Sequence, residues 1–472
     1  MQNRYSYLIK NTGILAISNF SSKVLVFLLV PLYTRVLTTS EYGIYDLVNT
    51  TVQLALPLMT VDICDAVIRY LMEKDIGHTY VVSVGAKFCT ASVLLFSIIV
   101  GINHFFAVVP VFRDYTGWII ALFAATVFYQ YATSVAKGLE EISDIAIAGI
   151  ISTLVAVGCN IVFLVHFQWG IAGFFLANIL GQFLPAVFLY FKASIGRYLS
   201  AEKDSAIQRM MVGYSAPLIM NNIGWWINNA LDRYVVTFIC GTAANGIFSV
   251  AYKIPTILAT IQQIFMQAWQ ITAIKEYKND SKVFYGKMMS FVNLAMGTTC
   301  IGLVFTTKFL AKFLYANEFY TAWKYVPFLL VSGVVNSASG VLGPILCADE
   351  NSKALGQSTL CGAGLNIFLN FALVYAMGPQ GATIATLLSS LAIYVFRRKA
   401  IGDKIEIENR GIMTVSWVLL FAQACVMVYL DSYLLQIFIA AIFFVLYRKN
   451  IAFLLRKAVE LLEQAKQKKE KR

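Results

Sequence analysis

Apolar runs long enough to cross a bilayer recur along almost the whole chain, and this leaves few folds open. A helix needs roughly 20 predominantly apolar residues to span the hydrocarbon core, where only helices and closed barrels satisfy their own backbone. Fourteen such runs read at about 12–36, 44–66, 81–103, 116–136, 145–166, 169–191, 211–238, 242–271, 287–313, 326–348, 354–376, 379–397, 411–430 and 433–455. Composition removes the soluble alternative. Apolar residues make up 59% of the 472 and charged residues 13%, against about 25% charged in soluble domains. The sequence therefore predicts an all-α polytopic membrane protein with about 14 transmembrane helices. The first run is followed by no small-residue cleavage site and is expected to be retained.

The net charge of +12 is unevenly distributed. With the N-terminus inside, most Lys and Arg fall on inner segments, among them Lys137, Lys192, Arg197, Lys275, Lys282, Lys353, Arg397, Arg398 and Lys399. Outer turns such as 166–170, 241–246 and 378–381 carry none. That asymmetry places both termini in the cytoplasm. The positive charge is then an orientation label with membrane lipids as its partners, and no nucleic acid is implied. The 8 Cys are scattered without a CxxC pair and the 3 His lie far apart, so neither a disulfide framework nor a metal site is expected.

An amphipathic connector at 192–210 separates an N-lobe of six spans (1–191) from a C-lobe of six (211–400). Two further spans (411–455) and a basic tail (456–472) follow. A weak internal match supports duplication at the connector. LTTSEYGIYDLVNT (37–50) aligns with CGTAANGIFSVAYK (240–253) at an offset of 203, each with a turn-forming Gly before an Ile and an aromatic residue. A repeat of six spans keeps both halves in one orientation, related by an axis along the membrane normal, with substrate expected in a central cavity at the repeat interface.

Polar side chains inside spans are costly and usually face a cavity or a partner. In the seventh span two stripes run at i, i+4, i+7, i+11: Asn221, Trp225, Asn228, Asp232, and Asn222, Trp226, Asn229, Arg233. Trp beside Asn suits a sugar-binding wall, a flat apolar face flanked by amides; interhelical hydrogen bonding is the alternative use. In the eighth span Lys253, Thr256, Thr260, Gln263, Gln267 and Gln270 fall on one helix face. The second span carries Asp46, Asn49, Gln53 and Thr60, interrupted by Pro57, and the first contributes Asn19 and Lys23. Cationic Lys23, Arg233 and Lys253 point to an anionic substrate group, phosphate above all, although Arg233 has Asp232 or a neighbouring helix as a local alternative. Asp62, Asp65 and Arg69 at the inner end of the second span are candidates for a gate latch or a proton-responsive pair, with half-exposed salt bridging as the plainer use. Asp46 and Asp232 join them as gating or ion-coupling candidates. No Walker, GxSxG or HExxH motif is present and no outer loop is large, so no catalytic residues are proposed.

The strings SAPLIMNNIGWWINNALDRYVVTFICGTAANGIFSVAYKIPTILATIQQIFMQAWQITA (215–273), VPLYTRVLTTSEYGIYDLV (30–48) and DAVIRYLMEKD (65–75) resemble polysaccharide repeat-unit flippases of the multidrug/oligosaccharidyl-lipid/polysaccharide exporter superfamily. The resemblance implies two six-helix lobes around a central cavity, alternating access, and export of undecaprenyl-pyrophosphate-linked oligosaccharides across the bacterial cytoplasmic membrane. By similarity to lipid II flippases, it implies that Lys23 and cavity cations meet the pyrophosphate and that the last two spans form a groove for the lipid tail. It also implies proton or sodium coupling, with no residue assigned; polysaccharide polymerase machinery is a candidate partner, and working alone is the alternative. Two other functions stay open: a cation-coupled multidrug antiporter of the same superfamily, and a membrane polymerase or glycosyltransferase.

Overall fold

The computed structural model describes residues 27–73, 76–200, 204–276, 282–349, 351–402, 405–406, 410–453 and 456. Among them, nine helices are long and apolar enough to cross a membrane, or ten if one bent pair counts as a single span. The chain is a multi-pass helical membrane protein. Helices seven and eight of the sequence reading are not in that set for a physical reason. Their Asn, Gln, Asp and Arg stripes lower the hydropathy of the segments that hold the candidate site. The last helix, Tyr433–Leu446, is apolar but only 14 residues long.

The chain divides by packing into two units. The first comprises residues up to Val250 together with Phe313–Tyr320, and the second the remainder. The division follows packing, so the seventh span groups with the first six.

The first unit contains α1 (Val30–Val36), α2 (Thr39–Thr60), α3 (Ile63–Leu71), α4 (His78–Phe106), α5 (Thr116–Gly138), α6 (Ile142–Asn160), α7 (Gly170–Lys192), α8 (Ser205–Cys240) and most of α9 (Thr242–Ala251). Local chemistry sets several of these ends. Thr38 and Glu41 form a reciprocal capping box that starts α2, the Thr38 hydroxyl accepting from Glu41 N–H while Glu41 accepts from Thr38 N–H. Asp204 caps α8 by accepting from Ala206 and Ile207 N–H. Val48, Val52, Val67, Val82, Leu122, Phe123 and Phe175 are fully or almost fully buried in one core. Facing the opposite way, Leu94, Ile98 and Ile102 make an exposed apolar row on α4 at four-residue spacing, as a lipid-facing helix requires.

The second unit contains α10 (Pro255–Glu276), α11 (Lys282–Leu314, to Lys312), α12 (Val326–Ala348), α13 (Ser352–Met377), α14 (Pro379–Ile401), α15 (Arg410–Cys425) and α16 (Tyr433–Leu446). The added C-terminal pair is tied to α11 by a buried polar hub. Asn293 Nδ2 donates to Ser416 Oγ (2.9 Å) and Tyr447 Oη (2.5 Å), and its Oδ1 accepts from Trp417 Nε1 (2.7 Å). Farther along α11, Gly297 leaves space for the Phe443 ring, and Lys308 pairs with Asp431 at 2.5 Å. Asn293→Ala should therefore lower stability by about 2 kcal/mol, because it strands the buried Trp417 indole N–H and leaves the Tyr447 phenol with Ser416 alone. Thermal unfolding in detergent checks this; an unchanged midpoint would mean that the hub does not secure the pair.

Candidate functional site

The seventh span turns one of its polar stripes onto the second. Asn222 Nδ2 donates to Asp62 Oδ2, and the Trp226 indole donates to Thr50 O at 3.0 Å. Two turns farther, Arg233 Nε lies 3.2 Å from Asp46 Oδ2, with these side chains 18% and 15% exposed. The Tyr234 hydroxyl bonds the Thr51 hydroxyl. Asp46 Oδ2 also accepts from Ser249 Oγ at 2.6 Å, while Arg233 Nη1 donates to Asn229 O at 3.2 Å. This half-desolvated ion pair is worth more than a surface pair, and removing one partner leaves a charge in a poorly solvating place. Asp232 is buried, its Oδ1 accepting from Arg233 N–H at 2.9 Å. Thus Arg233 pairs through its side chain with Asp46 rather than with its neighbour in sequence.

Below this pair the two segments matched at an offset of 203 lie against each other. A Cβ on Gly43 would stand 1.9 Å from Thr242 O, and a Cβ on Gly246 would stand 1.9 Å from Thr39 O. Each glycine thus faces the backbone carbonyl four residues before the other, so α2 and α9 touch with no side chain between them. Polar contacts finish the seam. The Ser40 and Thr242 hydroxyls bond at 2.8 Å, and Asn245 Nδ2 donates to Gly43 O at 3.1 Å. The close fit is reciprocal: what the first segment does to the second, the second does to the first.

Among the described residues, a break interrupts the second span and another the eighth. Between α2 and α3 the axis bends by 58° at Val61 and Asp62, whose φ values of 55° and 54° are both left-handed. Pro57 precedes the break, and it removes a backbone donor from the end of α2. Beyond it, Arg69 is exposed, pairs with Glu73 at 3.5 Å and covers the Tyr214 ring at 4.5 Å. Asp65 is exposed as well. The second break corrects the reading of span eight as one continuous helix. Tyr252–Ile254 form a turn between α9 and α10, because Pro255 restricts the residue before it and cannot donate backward. Lys253 therefore lies in a turn, off the regular helical phase of Gln263 and Gln267. Those two glutamines are exposed on α10. Another face of α10 packs on α12, where Leu258 meets Gly333 and Trp269 Nε1 donates to Val341 O at 2.9 Å.

Residues 8–270, more than half of the chain, match the family described as polysaccharide biosynthesis protein. The chain belongs to this family. This polysaccharide biosynthesis protein is 20% identical over 410 residues to a Shigella dysenteriae protein named as an O-antigen transporter, covering 83% of this chain and 99% of that one. It is 22% identical over 392 residues, 79% of each, to a Haloferax volcanii protein named as a low-salt glycan biosynthesis flippase. In structure it is similar to the lipid II flippase MurJ in an inward closed conformation, with TM-score 0.71, 14% identity, and coverage of 92% of this chain and 99% of that one. That likeness concerns the fold.

Within the polysaccharide biosynthesis protein, the structure brings Asp46, Asp62, Asn222, Trp226 and Arg233 onto one seam. Asn229 is exposed on the same helix. Lys23 lies outside the described residues, as do the side chains of Asn221 and Trp225. Ser40, Thr242, Ser249 and Tyr234 were not singled out from the sequence, although the offset match passes through three of them. Arg397, grouped by sequence with the loop charges, sits in α14 and donates to Ser358 Oγ, Ser339 O and Thr359 Oγ1 at 3.0–3.1 Å.

Proposed function

We propose that the protein is a flippase that carries undecaprenyl-pyrophosphate-linked oligosaccharide repeat units across the bacterial cytoplasmic membrane by alternating access, for surface polysaccharide synthesis. The observation that carries this reading is Arg233, a guanidinium inside a span and partly exposed, in a chain of the polysaccharide biosynthesis family. A guanidinium suits a phosphate group because its planar fork binds two oxygens at once. Lys23 and Lys253 are the other cations proposed to meet the pyrophosphate. Asn221, Asn222, Trp225, Trp226, Asn229, Gln263 and Gln267 are proposed to shape the sugar path. In the conformation seen Trp226 uses its one polar hydrogen within the protein and Asn222 uses one of its two, so a sugar would meet the indole N–H only after the seam rearranges.

With both termini in the cytoplasm, the Gly43–Gly246 seam lies at the outer ends of its helices and closes the path on that side. Polymerase machinery is the proposed recipient of the product. Cells lacking the protein should accumulate the lipid-linked saccharide on the inner leaflet. Arg233→Ala and Lys253→Ala should each lower surface polysaccharide at least about tenfold at unchanged protein level, the loss of one charge-assisted contact. Export at the wild-type level in both variants would overturn the assignment of charge binding.

A further inference from the structure

The five gating and coupling candidates occupy unlike surroundings. Asp46 is answered by Arg233 and Ser249. Arg69 and Asp65 are exposed. Asp232 is buried within α8 and accepts from the backbone N–H beside it. Asp62 differs from all of these. It is 4% exposed, and among the described residues no Lys, Arg or His lies within ion-pair distance of it. A carboxylate shielded from water, with no cation beside it among the described residues, is poorly stabilised there as an ion.

The side chain opposite Asp62 suits either protonation state. An amide both donates and accepts, so Asn222 can donate through Nδ2 to a carboxylate or accept through Oδ1 from a carboxylic acid. The charged neighbours are few. Asp65 stands one turn along α3 and adds like charge, and Lys137 of α5 faces Asp65. Of the other helices packed on α3, α4 brings Lys87, which donates to Gln208, and α8 brings Asn222. Geometry couples this carboxyl to motion, since Asp62 sits at the 58° break and its bond to Asn222 ties that break to the helix carrying Arg233.

We propose that Asp62 is the proton-carrying group of the transport cycle, neutral while the break is packed against α8 and ionised when the break opens to water. The proton is taken from water and returned to water, and no other bond forms or breaks. The inference deepens the flippase reading and rests on it for the word transport, but its test needs no substrate.

Cys64, two residues beyond Asp62 and 2% exposed, is a reporter already in place. Full-length protein that keeps only Cys64 and the exposed Cys347, at the end of α12, is reconstituted in liposomes and labelled with a permeant maleimide. The ratio of the two labelling rates cancels most of the thiol's own pH response. From about pH 5.5 to about pH 8 the ratio should rise roughly fivefold as the open population grows, and Asp62→Asn should abolish the rise. Asn222→Ala should shift the pH of the rise without removing it. A flat ratio in the otherwise unchanged chain overturns the proposal even where Asp62→Asn fails to fold, as does an equal rise in Asp62→Asn. A ratio that follows sodium at fixed pH overturns the choice of the proton. Accumulation of lipid-linked saccharide in cells lacking the protein tests the flippase reading separately, so either idea can fail alone.

Discussion

A disulfide between Ser40→Cys and Thr242→Cys should stop translocation, and reduction should restore it. The two hydroxyls stand 2.8 Å apart across the seam of α2 and α9, so the replacing thiols start within reach of one another. A formed bridge fixes the two helices at the one point where they touch backbone to backbone. If the seam must part for cargo to leave, the oxidised protein is held in one conformation and surface polysaccharide falls to the level of cells without the protein. The measurement requires a background without the 8 native Cys, and each single replacement serves as control. Full export by a quantitatively bridged protein would show that the seam stays shut throughout the cycle.

The second large effect comes from a single methyl group. Gly43→Ala and Gly246→Ala each place a Cβ 1.9 Å from a backbone carbonyl oxygen, and a carbonyl held in a helix cannot rotate aside as a side chain can. Overpacking of this kind costs about 1–3 kcal/mol. Because the strain is present only when the seam is closed, it should depopulate that state by roughly five- to 150-fold rather than unfold the protein. Oxidation of the Ser40→Cys/Thr242→Cys pair should slow in either variant, by up to that same factor. Gly101→Ala on α4, with nothing within 4 Å of its Cβ, should leave the rate unchanged. The double variant should add little to either single one, because both substitutions break the same contact. Unchanged oxidation in both single variants would mean that the helices do not approach this closely.

Periodicity made the stripes legible and left their partners hidden. The i, i+4, i+11 spacing of Asn222, Trp226 and Arg233 can be read from the chain, since a helix must put them on one face. Nothing local says that this face meets Asp62, Thr50 and Asp46, because pairing between distant helices leaves no mark on hydropathy. The break at Val61–Asp62 was concealed for a related reason. Left-handed backbone usually advertises itself through glycine, and here a valine and an aspartate adopt it. The turn before Pro255 was announced by its proline, yet the long apolar run around it reads as one helix. Asn293, Ser416, Trp417 and Tyr447 lie in three separate apolar runs, and only folding shows that they answer one another. The clearest signal was the faint match at 37–50 and 240–253. It did not reveal that the two matched segments are each other's packing partners.

That partnership bears on how such a chain could arise. A contact in which each copy presents the same surface to the other is the kind made by two identical subunits about a two-fold axis. The offset of 203 that relates Gly43 to Gly246 also relates Asp46 to Ser249 and Val30 to Arg233. In a pair of identical half-length chains, every one of these positions would have to carry the same residue twice. Two aspartates would then meet near the axis, each repelling the other. Joining the halves into one polypeptide lifts that requirement, so one position can keep a carboxylate while its twin becomes a hydroxyl and a third acquires the guanidinium. A single polypeptide thus lets a symmetric joint hold an unsymmetric charge.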